Sequence, residues 1–105
     1  GNALSMMGKA AFIAATRHCR QTVVMAASER IDFRAPIKVG EFAELSARVV
    51  MAGRSSMSVE VRLTVEDPMS GERSESALGR FVMVAVGGGG RPSRVPPRES
   101  EVEAG

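Results

Sequence analysis

Two periodicities divide the chain. Over its first nineteen residues, apolar side chains recur at helical spacing: Leu4, Met7, Ala11, Ala14 and Ala15 in one row, Met6, Ala10 and Ile13 in another. No aspartate or glutamate interrupts this stretch, and only Lys9 breaks its apolar character before Thr16, Arg17, His18 and Arg20 close it. Positive charge there suits the negative end of a helix dipole. A helix apolar on most sides must be wrapped by other structure. Asn2 can serve as the N-cap. Gly8 stands near the middle, where glycine costs about 1 kcal/mol relative to alanine. Either close packing or the loss of a side chain accounts for it.

From Thr22 onward the period falls to two. Thr22 to about Phe33 is rich in β-branched and small residues and is stopped by Ala35-Pro36. Val39-Gly40 turns the chain into a strand over Phe42–Met51, with Leu45, Ala47, Val49 and Met51 inward and Glu44, Ser46 and Arg48 outward. Gly53-Arg54 turns it again. The clearest strand comes next, with Met57, Val59, Val61, Leu63 and Val65 alternating with Ser58, Glu60, Arg62, Thr64 and Glu66. A loop from Asp67-Pro68 to Gly71 leads to a last strand, about Ser74 to Val86. One helix and four strands with one polar face predict an α+β domain over residues 1–86, an antiparallel sheet covered by a helix. The Gly- and Pro-rich stretch 87–105 is expected to be a flexible tail.

Composition narrows the function classes. The 105 residues allow one modest core, and the single cysteine excludes an internal disulfide, which points to a reducing cytoplasm. No apolar run is long enough to insert in a membrane. A net charge of only +2, with neither tryptophan nor tyrosine, argues against nucleic-acid binding. No metal-ligand spacing is visible.

Specific motifs carry more. GNALSMMGKAAFIAATRHC resembles the helix of hotdog-fold acyl-CoA hydrolases, where a Gly-Gly-Asn start leads to Met-Asp and small residues. ERIDFRAPIKVGE resembles that family's second strand and turn, and GRSSMSVEV its Gly-Arg-Ser/Thr-Ser-Met hairpin and strand. EDPMSGER, FVMVAV and GRPSRVPP come after them in the family's order. The resemblance implies a hotdog fold, a long central helix wrapped by a curved antiparallel sheet. It also implies one further strand before the helix, expected upstream of Gly1.

The same resemblance implies hydrolysis of acyl-CoA to free fatty acid and coenzyme A. Coenzyme A would enter as part of the substrate, with no separate cofactor and no metal. Backbone amides at the helix start, Gly1 and Asn2, would polarise the thioester carbonyl. Arg54, Ser55, Ser56 and Met57 would meet the coenzyme, a guanidinium suiting phosphate and hydroxyls suiting the pantetheine amides. The family's helix carboxylate, a general base or nucleophile, falls on Gly8, which can be neither. The alternative is therefore a catalytically impaired acyl-CoA-binding or structural hotdog subunit. Self-association is expected as a dimer or a dimer-based tetramer or hexamer, with the acyl chain running between paired helices past Met6, Met7 and Phe12.

Other polar residues have plainer readings beside chemical ones. His18 suits a helix end, Cys19 a small buried apolar position and Asp32 an interface. Arg91 and Arg94 either reach nucleotide phosphates or belong to the tail.

Overall fold

The computed structural model describes residues 2–87 and 90–97. Helix α1 (Asn2–Cys19) precedes four strands, β1 (Thr22–Phe33), β2 (Phe42–Ala52), β3 (Ser56–Glu66) and β4 (Arg73–Val86). They form one antiparallel sheet in the order β1-β4-β3-β2. β1 and β2 are consecutive in the chain but lie at opposite edges, so residues 34–41 cross the end of the sheet. This is the hotdog fold.

The helix lies on one face of the sheet. Met7, Ala11, Ala15 and Cys19, four residues apart, are all buried and pack on Val59, Val61, Phe81 and Met83. Small side chains at positions 11 and 15 let the helix approach closely. The alternation in β3 holds throughout, since each of Met57, Val59, Val61, Leu63 and Val65 is at most 2% exposed. The tightest helix–sheet approach is at Gly79. A Cβ there would lie 3.0 Å from the Met7 methyl and 3.2 Å from the Phe81 ring, so glycine is what allows Met7 to seat.

Bulges bend this sheet around the helix. β1 shifts register between Met25 and Ala27 and again between Ser28 and Arg30. A shift between Val49 and Met51 corrects the inward set expected for β2. Met51 turns out to solvent, 59% exposed, and Ala52 packs against the core in its place. A fourth shift, between β3 and β4, leaves Ser76 and Ala77 buried side by side in β4. Ser76 then anchors the edge crossing: its hydroxyl donates to the Ala35 carbonyl, and its own carbonyl accepts from Arg34 N at 2.8 Å.

The helix is wrapped on one side only. Leu4, Phe12 and Ile13 are each between 44% and 47% exposed, and Phe33 at the end of edge strand β1 is 60% exposed. Where the sequence predicts a free tail, residues 90–97 are instead docked. Ser93 N donates to Ala85 O at 2.8 Å, Val95 N to Arg54 O at 2.9 Å, and Val95 itself is buried in the core. Residues 88–89 and 98–105 lie outside the described residues.

Candidate active site

The site starts at the N-terminus of α1. Its first four amides have no intrahelical partners, and the dipole there favours negative charge. Asn2, expected as a cap, is the first helical residue, and Gly1 lies outside the described residues. No acidic side chain occupies the first turn. The amides of Ala3 and Leu4 therefore join that of Asn2 as donors without an intrahelical partner.

Gly8 lies two turns in, on the row Leu4–Gly8–Phe12. It is half-buried, and a Cβ added to it would meet only the methyl of Met25, at an ordinary 3.5 Å. Close packing does not require a glycine here; Gly79 meets that need. Gly8 is a vacancy beside an apolar neighbour. No sequence signal points to Met25, because the facing of β1 depends on its bulges.

The acyl path expected past Met6, Met7 and Phe12 needs correction. Met7 is fully buried beneath the helix, whereas the surface row consists of Leu4, Gly8 and Phe12 with Met25 alongside. Met57 is also corrected as a coenzyme contact, because its side chain is 1% exposed in the core opposite Met83. An inward strand position cannot serve a surface ligand. Arg54 is exposed in the hairpin, with Ser55 and Ser56 partly exposed beside it. Their backbones are pinned: Gly53 N donates to Ser56 O at 2.8 Å and Ala85 N to Ser55 O at 2.9 Å.

The remaining polar residues have structural roles. The Nε2 of His18 lies 2.7 Å from the Pro96 carbonyl, tying the docked segment to the helix end. Cys19 is buried. Asp32 pairs with Arg30 across 3.5 Å at the surface. A shallow depression between Phe42, Glu44, Glu66 and Arg73 sits at the far end of the sheet's charged face. Hydrogen bonds to Glu66 and Glu44 push the Arg73 guanidinium up from its ordinary pKa, so it stays a fixed cation. Among the described residues, no cluster of three or more His, Cys, Asp or Glu could hold a metal ion. No helix there is long and apolar enough to cross a membrane.

A family model described as the thioesterase superfamily matches residues 1–72. The chain belongs to that superfamily. It is 37% identical over 94 residues to an uncharacterized acyl-CoA thioester hydrolase of Zymomonas mobilis, covering 90% of this chain and 63% of the relative. An acyl-CoA hydrolase from Staphylococcus aureus, solved with butyryl coenzyme A and coenzyme A, superposes with a TM-score of 0.88 at 33% identity. That match covers 92% of this chain and 59% of the other. An apo-hexameric acyl-CoA thioesterase superposes with a TM-score of 0.90 at 33% identity, covering 98% and 69%. This thioesterase-superfamily chain spans less than two thirds of the length of the first curated relatives.

Proposed function

We propose that the chain hydrolyses acyl-CoA thioesters to a free fatty acid and coenzyme A. One observation carries this reading: a helix N-terminus with free amides opens onto an exposed apolar row, Leu4, Gly8 and Phe12. The amides stabilise the oxyanion as water adds to the carbonyl carbon, and the row takes the acyl chain. Collapse of the tetrahedral adduct breaks the C–S bond, and the departing thiolate takes up a proton. Coenzyme A is part of the substrate, and no separate cofactor takes part. The relatives' names and the coenzyme bound to the Staphylococcus aureus enzyme support the substrate class. The cytoplasm, where acyl-CoA is available, is the proposed compartment.

A second reading rests on Gly8. With a methionine methyl rather than a base beside the vacancy, the chain binds acyl-CoA without hydrolysing it. Thiol release from acyl-CoAs of several chain lengths, run beside titration with a non-hydrolysable analogue, separates the two. Slow release above background is the expected result. Saturable binding without release establishes the binder, and no binding defeats both.

Self-association accompanies either reading. Leu4, Phe12, Ile13 and Met25 together leave an apolar side too extensive for a lone subunit, and a second copy covers it. Light scattering is expected to give at least twice the 11.1 kDa chain mass. A monomer at micromolar concentration would contradict this.

A further inference from the structure

Side chains four residues apart on a helix line up as a ridge. On α1 the ridge Leu4–Gly8–Phe12 is broken at its middle. Leu4 and Phe12 stand out from the helix, 44% and 47% exposed, and the glycine between them contributes no side chain. The gap is one residue wide. Its centre lies about 6 Å along the axis from Leu4, four residues at the helical rise.

Met25 forms the floor of that gap. The β1–β4 register is regular from Thr22 to Met25 and slips only after it, so Met25 shares a face with Val23 and sits opposite Met83. Val23 and Met83 are 3% and 1% exposed, yet Met25 is 46% exposed. The difference lies in what covers each one. The Met25 methyl is 3.5 Å from the point a Cβ of Gly8 would occupy. Outside the backbone of α1 and the two chain neighbours of Gly8, it is the only described group within 4 Å of that point. A side chain at position 8 would cover Met25, and glycine leaves it bare. The result is an apolar recess walled by Leu4 and Phe12.

We propose that Gly8 and Met25 together form a specificity recess that selects acyl groups branched at one of the first carbons beside the thioester carbonyl. The inference rests on the acyl-CoA reading, which puts the carbonyl at the first-turn amides, one turn before Gly8. A straight chain lying along the ridge bridges Leu4 and Phe12 and leaves a void over Met25, forfeiting dispersion contacts. A branch fills that void and buries its own methyl against the Met25 methyl. Methionine suits the floor, because its unbranched thioether can retreat before branches of different size. The missing side chain at position 8 is then a binding feature, whether or not a base is supplied from elsewhere.

The test uses the full chain and three isomeric acyl-CoAs: pentanoyl, 2-methylbutanoyl and 3-methylbutanoyl. They differ in shape and not in carbon count. Relative kcat/KM is read by thiol release, or relative dissociation constants by calorimetry where release is absent. A branched isomer is expected to exceed pentanoyl by about fourfold or more, the discrimination one buried methylene supplies. Gly8→Leu, which fills the recess, should abolish that preference. Met25→Ala, which deepens it, should shift the preference toward the bulkier 2-ethylbutanoyl-CoA, and the half-exposed position keeps its cost to folding small. Equal use of the three isomers, preference for the straight chain, or ratios that neither substitution moves overturns the inference and leaves the acyl-CoA reading standing. If Gly8→Leu changes the oligomer mass in light scattering and not the isomer ratios, the recess receives a side chain of a second copy, and the inference is equally overturned. If none of the isomers is bound or cleaved, the acyl-CoA reading fails and the inference falls with it.

Discussion

Replacing Gly8→Asp is expected to raise the rate of thiol release by about 10²–10⁴-fold, the range a positioned general base contributes. The position has room. A Cβ meets only the Met25 methyl at 3.5 Å, so the carboxylate can enter without displacing backbone. At this point of α1 it would stand near the substrate carbonyl held by the first-turn amides, where a water could be polarised. Gly8→Ala is the control. It should stabilise the helix by about 1 kcal/mol by removing the glycine penalty, yet leave the rate unchanged. A rate rise in both variants would assign the effect to helix order. A fast wild type to which Gly8→Asp adds nothing would show that the base is supplied from elsewhere, and the meaning assigned to the vacancy would be wrong.

The largest structural effect is expected from Phe81→Ala, which should destabilise the fold by about 3–5 kcal/mol. Phe81 is the largest fully buried side chain, and its ring is one wall of the gap at Gly79 that the Met7 methyl fills. Removing it opens a cavity near Met7 and Ile31 on a strand that neighbouring strands hold in place on both sides. The site cannot collapse cheaply. Denaturant unfolding should show a lower midpoint with little change in slope. A loss under 1 kcal/mol would mean that the core repacks around the cavity. Typical domains have about 5–15 kcal/mol in total, so this single change consumes a large fraction of the stability.

Much of the fold is legible in the pattern, and the places where it fails are specific. β3 lies between two strands, so strict alternation in Met57–Val65 maps directly to burial. β2 obeys the same pattern until the shift at Val49–Met51, where one extra residue reverses the facing of Met51 and Ala52. Nothing in the residue types announces that bulge. The segment 90–97 misleads for a different reason. Glycines and prolines mark a chain that forms no regular element, which is not the same as a chain that does not pack. Val95 and the carbonyls of Arg54 and Ala85 hold it in place.

The candidate site divides similarly. The motif order marks the helix start, the missing acid at Gly8 and the hairpin Arg54–Ser56 as site positions, and in that role they belong to the proposed function. It does not separate a ligand-facing Met from a core Met, and so it points to Met7 and Met57 at the ligand although both are buried. Met25 beside Gly8, and Val95 beside the hairpin at Arg54, are separated by many residues in sequence and meet only through folding.

By itself the sequence determines one helix, four strands, the inward face of β3 and the absence of a carboxylate on α1, because periodicity and residue type are local properties. Tertiary structure alone decides which apolar residues remain uncovered and which glycine is needed for packing. Those depend on bulges, on the crossing from one sheet edge to the other, and on a docked segment. Each is a long-range contact whose energy comes from both partners at once, so neither partner's own sequence contains it.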